Sequence, residues 1–169
     1  LPAPRSPLAF GALHVFQGFL GGGVLVHDSA DRADHADRVR GLPDVAPHVH
    51  ASGARLEGFA VTNGRARWGG GMLINGAAAR VSDCVFHANT VYDPGYSQGG
   101  GLDIESCSPI LRNLTIAYNT GTTGGGISLF SASPALENCL IAFNTGVSVY
   151  LSGSSPLFTC SDIYGNTDG

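Results

Sequence analysis

The chain is predicted to be an all-β solenoid, in which short strands wind into stacked coils. Three observations predict it: a gapless internal repeat, a period-two apolar alternation inside each repeat, and a composition rich in glycine and poor in charge. The 169 residues include 25 glycines but only 13% charged side chains, well below the usual quarter. Such a chain disfavours a helical bundle or a charge-rich disordered segment and suits many short strands joined by tight turns.

The repeat sets the architecture. Gly69 to Asn89, Gly99 to Asn119 and Gly124 to Asn144 read GGGMLINGAAARVSDCVFHAN, GGGLDIESCSPILRNLTIAYN and GGGISLFSASPALENCLIAFN. A fourth copy, Gly146 to Asn166, reads GVSVYLSGSSPLFTCSDIYGN, and LEGFAVTNG (Leu56 to Gly64) matches the second half of the unit. Pro109, Pro134 and Pro156 share one position, held by Ala79 in the first copy. The terminal Asn residues are 30, 25 and 22 positions apart, and all the variation falls just after the Asn. Insertions confined to one corner are expected of a solenoid, because a loop can leave the stack without disturbing its core.

In the first half of each unit Met72/Ile74, Leu102/Ile104, Ile127/Leu129 and Val149/Leu151 lie two apart and share one strand face. Leu73, Asp103, Ser128 and Tyr150 alternate with them and are expected to point outward. The second half is long enough for two short strands around a bend. Coils stacked at the inter-strand spacing of about 4.8 Å bring equivalent residues into columns. Cys84, Leu114 and Cys139 form one expected interior column; Phe86, Ile116, Ile141 and Ile163 form another. Asn89, Asn119, Asn144 and Asn166 are expected to form a ladder of amides, with Asn also supplying the left-handed conformation that a tight bend needs. The result is a solenoid of about five coils over 53–169.

These motifs, GGGI-x-L followed by SP-x-L-x-N-C-x-I-x-x-N and the ending LFTCSDIYGN, resemble the right-handed parallel β-helix repeats of pectate-lyase-like proteins. They are most similar to the large secreted bacterial branch of that superfamily. The resemblance implies a right-handed parallel β-helix from about Leu56 onward. It does not single out an activity, because the same scaffold carries lyases, hydrolases, adhesins and inert stalks.

Residues 1–52 carry no repeat and are expected to be an N-terminal cap or an irregular segment. A short helix fits Ser29 to Arg40, with Ser29 as its N-cap, Gly41 after its end and Pro43 beyond. The charge-free stretch Leu8 to Val26 behind Arg5 has some features of a signal sequence. His14, Gln17 and Gly21 to Gly23 interrupt it, so a membrane span is not expected. The formal net charge is −4 and every basic residue is an Arg; with no basic cluster, nucleic acid is not an expected partner.

Candidate chemistry is sparse. Asp103 and Glu105 project from one strand about 7 Å apart, beside Asn75 and Ser128 and next to the longest loop, which carries Tyr92, Asp93 and Tyr96. Paired carboxylates could bind calcium, the one cofactor considered, or act as acid and base on a glycosidic bond; the plainer account is a solvated strand face. A lyase mechanism would need a base, yet there is no Lys, and Arg112 and Arg80 are the nearest Arg residues. A hydrolase of the polygalacturonase type would need several Asp on adjacent coils, and only Asp103 is present.

His27 to Asp37, with His48 and His50, invites a metal site, but its spacing suits a solvated segment better. His87 is expected to be structural. The four Cys lack C-x-x-C spacing and read as free. Cys84 and Cys139 are buried and two coils apart, Cys160 is out of frame with Cys139, and Cys107 sits at a turn. The GGG runs lack the ending of a phosphate loop and the pattern of a calcium nonapeptide. No face carries the regular Thr of an ice-binding surface.

Taken together, these features suggest a secreted or cell-surface structural or glycan-binding element, with Asn75, Asp103, Glu105, Tyr92 and Tyr96 as binding candidates and polysaccharide as the partner. The alternative is a polysaccharide-degrading lyase or glycoside hydrolase using Asp103 and Glu105. End-to-end stacking on another chain is a further expectation.

Overall fold

The computed structural model describes residues 14–16, 23–25, 48–49, 53–92 and 98–167. The expected helix at 29–40 and the histidine- and aspartate-rich segment at 27–37 lie outside these residues. β1 (His14–Phe16) and β2 (Gly23–Leu25) pair antiparallel, apart from the solenoid sheets. Among the described residues no helix is long and apolar enough to cross a membrane.

The opening coil supplies β3 (His48–Val49), β4 (Arg55–Glu57), β5 (Ala60–Thr62) and β6 (Arg65–Ala66). β7 (Met72–Asn75), β8 (Arg80–Ser82), β9 (Val85–His87) and β10 (Thr90–Val91) make the next. β11 (Leu102–Glu105), β12 (Ile110–Arg112) and β13 (Thr115–Ala117) follow, then β14 (Ile127–Phe130), β15 (Ala135–Glu137) and β16 (Leu140–Ala142). The last coil holds β17 (Val149–Ser152), β18 (Leu157–Thr159) and β19 (Asp162–Tyr164). Equivalent strands pair in parallel into three five-stranded sheets, ordered β17-β14-β11-β7-β3, β18-β15-β12-β8-β4 and β19-β16-β13-β9-β5. The first sheet therefore takes in His48 and Val49, upstream of the boundary at 53 that the repeat suggested.

The registers match the internal alignment residue for residue. Leu102 pairs with Met72 and Ile127, Leu111 with Val81 and Leu136, and Ile116 with Phe86 and Ile141. These side chains are buried and form one continuous core with Cys84, Leu114 and Cys139. Ile163 keeps the frame but is exposed on the last coil.

Each bend is made by one residue in the left-handed conformation. Gly76, Ser106, Ser131 and Gly153 turn the first corner; Gly58, Asp83, Asn113, Asn138 and Cys160 turn the second; Asn63, Ala88, Tyr118, Phe143 and Gly165 turn the third. Many of these are not glycine, and each such residue costs roughly 1 kcal/mol; the hydrogen-bonded stack holds them in place. The glycine runs make a fourth bend. There a Cβ on Gly69, Gly99 or Gly124 would strike the carbonyl oxygen of the residue three positions on, so only glycine fits.

The ladder asparagines are not the left-handed residues, contrary to the sequence-based expectation. That conformation falls on the residue before each, which turns the Asn side chain into the stack. Asn89, Asn119 and Asn144 are wholly buried. The Oδ1 of Asn119 accepts from the Asn89 backbone N–H at 2.9 Å and from Asn89 Nδ2 at 3.0 Å. Asn119 Nδ2 in turn donates to Phe86 O at 2.9 Å and Asn144 Oδ1 at 3.0 Å. The pattern repeats up to Asn166.

Replacing Asn119 by Ala strands buried donors and acceptors on both neighbouring coils and should cost roughly 3 to 5 kcal/mol. Asn113 Nδ2 donates at 2.8 Å to Asp83 in an exposed ladder, and Asn113→Gly should cost about 1 kcal/mol or less. Urea unfolding of the two variants checks the ranking; equal losses would contradict it.

Candidate functional site and family membership

The first sheet carries the predicted carboxylates because β11 lies between β7 and β14. Its four residues define four rows across the coils. Met72, Leu102 and Ile127 form one inner row and Ile74, Ile104 and Leu129 the other, all fully buried. The row between them, Leu73, Asp103 and Ser128, was expected to be outward and solvated. It is buried as well, with Asp103 and Ser128 at 0% exposure. The alternation read the strand face correctly but not its cover.

Neither oxygen of the Asp103 carboxyl finds a hydrogen-bond partner, nor does the Ser128 hydroxyl. An unpaired buried carboxylate is strongly disfavoured. Burial above all, and then repulsion from Glu105, push the Asp103 pKa up to about 7. The neighbouring Ser128 hydroxyl and Ile104 N–H pull it down only in part, since neither closes a well-formed hydrogen bond.

The fourth row is different. Asn75, Glu105, Phe130 and Ser152 stand in register at the ends of β7, β11, β14 and β17. Asn75, Glu105 and Ser152 are half-buried and Phe130 is exposed. Asn75 Nδ2 donates to Glu105 Oε2 at 2.7 Å, which holds the carboxylate. Phe130 stacks on no other ring in the described structure. The sequence had singled out Asn75 and Glu105 but missed Phe130 and Ser152. The signal was available in the alignment, as the position directly before the first corner.

Tyr92 lies elsewhere. It follows β10, on the corner that precedes the first sheet, and the Arg65 guanidinium sits 5.4 Å from its ring centroid. Tyr96 and Asp93 lie outside the described residues. Asn75 and Glu105 meet directly, with Asp103 behind Glu105 on the same strand, and Tyr92 is not part of their row.

A second row was also missed. His87, Tyr118, Phe143 and Tyr164 form a ladder along the third corner, each centroid 5.3 Å from the next. Tyr118 and Phe143 are nearly parallel, at 22°, so one face of each is turned to the other. This gives His87 the structural place expected for it and makes the row a coil-to-coil fastening.

The cysteines are free. Burial raises the Cys84, Cys107 and Cys139 thiols above the usual value, which leaves them protonated and poorly nucleophilic. Cys160 is exposed while Cys139 is buried, as the one-residue offset required. Calcium prefers six to eight oxygen ligands. Among the described residues no three His, Cys, Asp or Glu come together, so Asp103 and Glu105 do not make a calcium site by themselves.

Stacked parallel sheets, repeating corners and an internal amide ladder define a β-solenoid repeat protein. Residues 44–169 match the family described as the right handed beta helix region, and the chain belongs to that family. No curated protein and no solved structure matches it.

The Asp103 shift makes stability depend on pH. The folded state binds this proton more tightly than the unfolded chain, whose Asp titrates near 3.8. The favourable contribution is complete below that value and is lost as pH rises towards about 7. Asp103→Asn should therefore match the parent near pH 4 and exceed it above pH 7 by up to ~4 kcal/mol. Thermal unfolding at both pH values checks this; equal destabilisation at both would remove the linkage.

Proposed function

We propose that the chain is a secreted or cell-surface β-helix module, of the pectate-lyase-like bacterial kind, that serves as a rigid element and binds glycan along the outer row of its first sheet. One observation carries the reading: through β7, β11 and β14 the last row alone is open, and it presents an amide, a carboxylate and an unstacked aromatic ring in register. Neighbours in that row stand about 4.8 Å apart, on the scale of one sugar ring. A few convergent polar groups beside an apolar surface suit a hydroxyl-rich ligand with apolar ring faces.

Glu105 and Asn75 would bond sugar hydroxyls, and Phe130 would lie against the face of a ring. The ladder-braced stack keeps the row rigid, so little ordering cost accompanies binding. The enzymatic alternative draws support from an Asp103 that titrates near neutrality beside Glu105, as acid–base catalysis favours. Its sealed position counts against it, since a catalytic carboxyl must reach the bond it cleaves.

The last coil has its own opening. Leu151 and Ile163 occupy inner positions yet are 48% and 40% exposed. A further coil stacked on this one, whether of the same chain or contributed end to end by another, would bury them. Sedimentation as a monomer at high concentration rules out stacking on another chain.

Glycan binding is tested by calorimetry against a panel of soluble polysaccharides. Phe130→Ala and Glu105→Gln should each weaken binding about tenfold, the scale of one lost contact, while Asp103→Asn leaves it unchanged. No new reducing or unsaturated ends should appear. Their release, abolished by Asp103→Asn, would establish the enzyme instead.

A further inference from the structure

The charges around the open row restrict what it can take. Among the described residues Glu105 is the one charged side chain in the row, and Asp103 stands two residues behind it on the same side of β11. The five strands of the sheet contain no Arg and no Lys. Arg55, Arg80 and Arg112 belong to the second sheet, where Arg55 and Arg112 pair with Glu57 and Glu137. A polyuronate laid along the row would bring carboxylate to carboxylate with no Arg or Lys on the described strands of this sheet to offset it, His48 standing at the sheet's edge on β3, which selects against that class.

One further feature points to a cation. Phe130, next to Glu105 in register, is 43% exposed, and the face of such a ring attracts a ligand cation. Carboxylate and ring face together make a two-sided seat for an ammonium group.

We propose that the glycan recognised by this row is an amino sugar polymer carrying free ammonium groups, with Glu105 as the ion-pair partner and Phe130 as the cation–π partner. This rests on the glycan-binding reading and narrows it. The ammonium donates to the Glu105 carboxylate while its charge faces the Phe130 ring. An N-acetylated ligand loses the charge while keeping the hydroxyls and ring faces.

The test compares three oligosaccharides of equal length on the whole chain at pH 6: a glucosamine oligomer, its N-acetylated counterpart and an oligogalacturonide. The expected order is glucosamine at least tenfold tighter than the acetylated form, with the uronide undetectable. Glu105→Gln should abolish the preference but keep the residual affinity shared with the acetylated form. Raising salt should weaken the glucosamine complex far more than the acetylated one. Equal affinity for the charged and acetylated forms overturns the inference and leaves glycan binding standing, as does a preference that survives Glu105→Gln. Tightest binding of the uronide overturns it too. Failure of all three to bind overturns the glycan reading itself.

Discussion

The amide ladder of Asn89, Asn119, Asn144 and Asn166 is the interaction on which the rest of the structure depends. A β-helix has no side chain that must reach across its sheets to set the register, so each coil could slip against the next. Asn119 removes that freedom because its amide is fully engaged, with both N–H groups donating and the oxygen accepting twice. A one-residue slip would break all four bonds in a wholly buried place. The opening coil has no amide at this position; Gly64 there donates its backbone N–H to Asn89 Oδ1 at 2.8 Å. The ladder starts on backbone and ends on Asn166.

Once the third corner is locked, the other corners inherit their conformations. The left-handed residues at the three bends include Ala88, Tyr118, Phe143 and Cys160, none of which adopts that conformation readily on its own. Their strain is held by parallel hydrogen bonds on both sides and by columns such as Asn138–Asn113–Asp83. Small polar groups serve the same end inside the stack. Cys139 donates weakly to Leu111 O, and Ser161 in the next coil donates to Leu136 O. A thiol and a hydroxyl share that column with Leu114, so the position accepts a short donor or an apolar side chain. Burial in that column is what raises the pKa values of the Cys84 and Cys139 thiols.

The inner columns were legible in the sequence because alternation and the repeat agree on them: Leu102, Ile104, Leu111 and Ile116 are apolar in every sense the pattern can detect. The Asn ladder was legible as a column but not in its mechanism. Sequence statistics associate Asn with left-handed turns, whereas here the turn sits one residue earlier and the amide faces inward. Asp103 was misjudged for a deeper reason. Period-two alternation reports which side of a strand a residue occupies and is silent on whether another segment covers that side. Phe130 went unnoticed because its row reads Asn, Glu, Phe, Ser, so no repeat marks it.

That last blindness follows from how a solenoid divides its labour. Positions that hold the stack must repeat, since each coil presents the same hydrogen-bonding edge to the next. Positions free to recognise a ligand need not repeat, and a ligand longer than one coil is read by a row of unlike side chains. The first sheet shows both kinds on a single strand. Leu102 and Ile104 are interchangeable with their equivalents above and below, while Glu105 faces an amide on one side and an aromatic ring on the other. The recognition proposed for this chain therefore falls to the row where the repeat fails, beside Asp103, whose fully buried carboxyl the stack holds without a hydrogen-bond partner.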